Sequence, residues 1–174
     1  MVRLAFPLIA IFGFASAALA ADPPAAQQSA SARTAMATPA FLEAAAAGNT
    51  FEIDSSRLAL ERSNDADVKR FAQHMIDDHT KAGEKLKAAV QEAGLQPPPQ
   101  KLDSKHQNML DNLRKAQGGA FDKAYIDAQT TAHVETVNLF KNYAQGGDNA
   151  RIKQFASDLL PTLQSHLDQV KKLQ

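Results

Sequence analysis

From Phe41 onward, large apolar residues return every three or four positions in long stretches, the spacing that gathers them on one face of an α-helix. Four stretches are long: Phe41 to about Arg62, Ala66 to about Ala93, Phe121 to about Ala144 and Ala150 to about Leu173. A shorter one carries Leu102, Met109, Leu110 and Leu113 at helical spacing. The residues between them are helix punctuation. Ser63-Asn64-Asp65 offers a turn and a cap for the second helix, and Gly94 followed by Pro97-Pro98-Pro99 ends it. Gly118-Gly119 breaks the short piece from the third long helix, and Gly146-Gly147-Asp148 supplies a stop and a new cap. Pro161 is expected to kink the last helix, because the bond back to the Ser157 carbonyl is lost. Two hairpins joined by a long crossover at 94–120 predict an all-α, antiparallel four-helix bundle with a short extra helix in the crossover. The run Asp65 to Ala72 also resembles Asp148 to Ala156, each opening the second helix of a hairpin. A duplicated hairpin and two amphipathic helix starts with similar needs account for that match equally well.

The pattern is different before Phe41. Residues 1–20 carry Arg3, an apolar run from Leu4 to Phe14, and Ala18-Leu19-Ala20. This is the layout of a secretory signal peptide with cleavage expected after Ala20. The apolar run is short for a membrane span and is interrupted by Pro7 and Gly13. Residues 21–38 are mainly alanine, proline, glutamine and serine. They hold too little apolar surface to offset the entropy of ordering, so a disordered spacer is expected there. The bundle domain is then 39–174. Export beyond the inner membrane follows, to the periplasm in a two-membrane bacterium, with no transmembrane segment in the mature protein.

Charge and composition narrow the function classes. The 174 residues hold 19 basic and 19 acidic side chains, so no net field draws the chain to nucleic acid. Cysteine is absent, which removes disulfides, thiol nucleophiles and lipidation at a cleavage-site cysteine. No glycine-rich phosphate loop at a strand–helix junction and no strained nucleophile turn is present.

The informative residues are those that do not belong on an apolar face. On a helical wheel Glu52 falls with Phe41, Ala45 and Ala59; His79 with Val68, Ala72, Leu86 and Val90; His133 with Ile126, Val137 and Phe140; His166 with Phe155, Leu159 and Val170. Each long helix thus turns one ionisable group inward. His74, Asp77 and Asp78 project sideways or outward and are read as solvated charges. A buried carboxylate must find a partner, take a proton or bind a cation. Glu52, His79, His133 and His166 form a ligand set that zinc, copper, nickel or iron accepts. Counting from the turns, Glu52 and His79 differ in level by about 4.5 Å and His133 and His166 by about 7.5 Å. The first pair is therefore expected to meet more readily than the second. A polar network without metal, drawing on Thr130, Thr162 or Tyr125, satisfies the same groups. Met75, one turn before His79, is read as core.

The run Phe71 to Thr80, the segment Phe121-Asp122-Lys123-Ala124-Tyr125 with His133, and Leu160 to Leu167 together resemble the signature of a bacterial exported family, domain of unknown function 4142. The resemblance covers about residues 39–172 and implies a ferritin-like four-helix bundle. It supplies no activity. The wider ferritin-like class often binds two irons through Glu-x-x-His pairs, and here the residues three before His79, His133 and His166 are Ile76, Thr130 and Leu163. A di-iron oxidase or storage cage is therefore not expected, and fold alone carries no ferroxidase activity.

Two functions remain open at this point. One is a periplasmic bundle binding a metal ion or small ligand in its core, with Thr162, Gln129 and Tyr125 as supporting partners and zinc, copper or iron as the ion. The other is a non-enzymatic envelope protein with a protein partner, whose buried polar groups only fix the packing.

Overall fold

The computed structural model describes residues 36–174. The expected leader, and all of the expected spacer but its last three residues, lie outside them. Among the described residues there are five α-helices and no strand: α1 Thr38–Arg62, α2 Ala66–Glu92, α3 Ser104–Lys115, α4 Gly119–Gly146 and α5 Ala150–Lys171. α1 and α2 form one antiparallel hairpin, α4 and α5 the other. α1 packs on α4 and α2 on α5, and α3 lies against α1 and α4. The expected bundle and its extra crossover helix are both present.

The caps explain the helix limits. Asp65 accepts from the amides of Asp67 and Val68 at 2.7 and 3.1 Å, satisfying donors that the first turn of α2 leaves free. α2 closes with Gly94 at φ 66°. The Gly94 amide donates to Gln91 O and the Leu95 amide to Val90 O, both at 3.0 Å, the paired bonds of a Schellman stop that favours glycine. The sequence suggested Asp148 as the cap of α5, but Asn149 performs it, accepting from Arg151 and Ile152. Asp148 reaches the other hairpin instead: its Oδ1 accepts from the amide of Thr38 at 3.1 Å and from the Thr38 hydroxyl. The start of α1, which has no side-chain cap of its own, is capped from the α4–α5 turn. At the far end Arg62 donates to the carbonyls of Arg114 and Ala116 and ties the end of α3 to α1. α5 runs on through Pro161 as one helix.

The core has two apolar halves. One holds Phe41, Leu42, Ala82, Leu86, Phe140, Phe155 and Leu163, the other Phe51, Phe71, Met75, Leu113, Phe121, Tyr125 and Val170. On α2, α4 and α5 the changeover falls at the histidine, and on α1 it falls between Ala46 and Phe51, just before Glu52. His79 lies between Met75 and Ala82, His133 between Ala132 and Phe140, and His166 between Leu163 and Val170. A polar layer crosses the bundle where the two halves meet, and burial on both sides keeps water from solvating it. No described helix is long and apolar enough to cross a membrane.

Candidate metal centre

His79, His133 and His166 come together from three different helices. Their ring centroids lie 5.7, 5.4 and 5.5 Å apart, close to an equilateral triangle. Side chains of all three are buried, and each offers a ring nitrogen within 4.8 Å of those of the other two. The expectation that His133 and His166 would meet less readily is overturned. Counted from the observed helix ends, His133 is 13 residues before Gly146 and His166 is 16 after Ala150; Glu52 is 10 before Arg62 and His79 is 13 after Ala66. Both hairpins thus have the same offset of three residues, about 4.5 Å of rise. The turn residues had inflated one of the two counts.

Each ring has one nitrogen held by an oxygen. His79 Nδ1 is 3.1 Å from Asn49 Oδ1, His133 Nδ1 is 3.0 Å from the Gln129 carbonyl, and His166 Nε2 is 3.1 Å from Asp78 Oδ2. These acceptors fix the tautomer, because the nitrogen facing a bare oxygen carries the hydrogen and the other keeps its lone pair. The remaining nitrogens are His79 Nε2, His133 Nε2 and His166 Nδ1, and all three are buried without a hydrogen-bond partner. Unsatisfied buried acceptors cost about 1–3 kcal/mol each, and lone pairs brought together repel. A cation among them converts this cost into bonding, and outward hydrogen bonds to oxygen are the arrangement that orients metal-binding histidines. The residues present therefore fit a transition-metal ion held by three imidazoles.

Protonation follows the same logic. Burial, with the neighbouring histidines, drives the His79 pKa well below its ordinary value. Burial lowers that of His166 to about 4, although Asp78 works against the shift. Both rings are thus neutral near pH 7, the form that ligates metal.

Glu52 is buried but stands behind His133 from the triangle. Its Oε1 is 3.5 Å from His133 Nδ1, the nitrogen that also faces the Gln129 carbonyl, and its Oε2 has no partner. Burial raises the Glu52 pKa, with His133 and Gln129 opposing. Of the other expected partners, Gln129 gives its carbonyl to His133 and its amide to Ser55 at 3.0 Å. Tyr125 hydrogen-bonds Ser56 at 2.8 Å, and no hydrogen bond joins Thr162 to the three histidines. Met75 is core, as expected.

Three residues bearing on the site escaped the sequence reading. Asn49 sits one turn before Glu52, and that spacing was the available signal. Asp78 and His74 were read as solvated; instead Asp78 Oδ2 accepts from His166 and lies 3.0 Å from His74 Nε2. The flank of α2 that carries them is covered by α5, a contact that the wheel of a single helix does not contain. Asp77 is exposed, as expected, and pairs with Gln73.

A family model described as domain of unknown function (DUF4142) matches residues 23–173. No curated protein matches the chain. Among solved structures, the chain is similar to CopM in the Cu(II)-bound form, at 21% identity and TM-score 0.66, covering 79% of this chain and 95% of that one. At this identity the likeness speaks for the helical fold alone.

Proposed function

The chain belongs to the DUF4142 family, and on that footing we propose that it is an exported metal-binding bundle whose His79, His133 and His166 hold one transition-metal ion. The observation that carries this reading is the convergence of three buried histidines, each with one ring nitrogen held by an oxygen and the other buried without a partner. Glu52, which the sequence offered as a fourth ligand, is assigned to supporting His133, its carboxylate offsetting charge drawn onto that ring by the ion. The expected cleavage after Ala20 and spacer at 21–38 would deliver the bundle, 39–174, to the periplasm. All-nitrogen ligation suits zinc and copper better than magnesium or calcium. Copper is the first ion to try, since the structurally similar CopM was seen with Cu(II). The test is elemental analysis of protein purified from its native compartment without a metal-binding tag. At least one equivalent of a transition metal is expected, falling by one equivalent in His133→Ala; protein that carries no metal and takes up neither copper nor zinc overturns the reading and returns the envelope-partner alternative.

A further inference from the structure

His166 has a second face. Its Nδ1 is buried without a partner, while its Nε2 shares Asp78 Oδ2 with His74 Nε2. His74, Asp78 and His166 bring one ligand atom each within 4.8 Å of one another, and the rings of His74 and His166 are 5.3 Å apart. Exposure rises outward along this group: the side chain of His166 is 2% exposed, Asp78 22% and His74 43%. His74 opens into a surface cleft of about 280 Å³ bordered by Asp67, Arg70, Phe71, Gln169 and Leu173. Its outer nitrogen is held by Gln169 Oε1 at 3.2 Å, so the ring is fixed on the side away from Asp78, as the rings of the triangle are.

We propose that His74, Asp78 and His166 form a second, solvent-facing transition-metal site, joined to the buried one through the His166 ring. The proposal rests on reading the buried triangle as a metal centre. Two imidazoles, one carboxylate and open positions toward the cleft suit Cu²⁺ or Zn²⁺. In the outer site His74 binds through the lone pair of Nε2, its hydrogen staying on Nδ1 toward Gln169 Oε1, and the ion replaces the hydrogen on His166 Nε2. With both sites filled, His166 bridges the two ions as an imidazolate, and the one released proton leaves to solvent through the cleft. An ion arriving from solvent meets the outer ligands first, because the triangle is closed off by buried side chains.

The experiment is titration of the intact protein with Cu(II), counting ions retained after gel filtration, in wild type, His74→Ala and His133→Ala, with His79→Ala as a second inner variant should His133→Ala fail to fold. The expected stoichiometries are two, one and one. Electron paramagnetic resonance of the doubly loaded wild type should lose intensity through coupling across the imidazolate, while the singly loaded variants keep theirs. One ion in both wild type and His74→Ala removes the outer site and leaves the buried one standing. One ion in wild type and in the inner variants, with none in His74→Ala, removes the buried site and with it the bridge. Two ions at full signal intensity overturn the shared ring, and no ion in any protein overturns both sites.

Discussion

Asp78 Oδ2 lies 3.1 Å from His166 Nε2, joining α2 to α5 at the level of the buried triangle. This contact sets the tautomer of His166 and so decides which of its nitrogens faces inward. The Asp78 carboxyl is itself held below its ordinary range: partial burial pushes its pKa up, but the hydrogen bonds from His166 and Lys81 and the nearby His74 outweigh that.

Removing that acceptor should therefore weaken the buried centre without touching its ligands. Asp78→Ala is expected to lower metal affinity by about 10–100-fold, the range for losing a hydrogen-bond partner of a ligating histidine. Asp77→Ala, one position away and exposed, should leave affinity unchanged. Calorimetric titration of the two variants checks the contrast; equal affinities would mean that Asp78 does not orient His166.

His133→Ala separates a metal centre from a polar network by how its effect depends on metal. For wild type, ion at 100 times its Kd should add about 2.7 kcal/mol to unfolding stability. The variant should lose that increment, so the cost of the substitution is larger with metal than without. A cost that is the same in both conditions would support packing alone. Paired denaturant curves, with ion and with chelator, measure it.

Acid should act on the apo protein through the same rings. His79 and His166 have folded pKa values below their ordinary value of 6.5, that of His166 at about 4. As pH falls from about 6.5 toward 4, the unfolded chain takes up protons that the folded chain refuses, so stability drops across that window. Glu52 acts in the opposite sense: its pKa is raised above 4.5, so its protonated folded form is favoured at the acid end and its contribution is lost as pH rises. With two histidines against one carboxylate, a net loss toward pH 4 is expected in thermal melts. Replacing His166 with Gln should flatten the slope; an unchanged profile would contradict the assignment.

The bundle itself can be tested away from the polar layer. A Cβ at Gly147 would lie 2.6 Å from the Tyr143 ring, which is buried and stacked on Phe41 at 4.0 Å between centroids. Gly147→Ala should cost about 1–3 kcal/mol, the range for overpacking a well-filled core. Gly146→Ala, which meets nothing within 4 Å, should not destabilise. Neither change should alter metal affinity. Denaturant midpoints of the pair give the answer.

Periodicity and punctuation made most of this fold legible. Apolar spacing placed the four long helices to within a few residues, and Asp65 and Gly94 act in the structure as their types foretold. The same wheel brought out His79, His133 and His166, because a histidine among valines and leucines at helical spacing must be buried. It could not reveal Asp78 or His74, whose partner His166 lies 88 residues or more along the chain and on another helix. Nor could it separate Glu52 from the triangle. An inward face is shared by every residue on the stripe, whereas the side of the His133 ring a carboxylate meets depends on how two hairpins dock.

The most direct measurement is a crystal structure of the protein grown with Zn²⁺ or Cu²⁺, with anomalous scattering recorded at the metal edge. An anomalous peak about 2.0–2.1 Å from His79 Nε2, His133 Nε2 and His166 Nδ1 is the predicted result. Bound metal found only at surface carboxylates, with the three nitrogens joined by water, would contradict it.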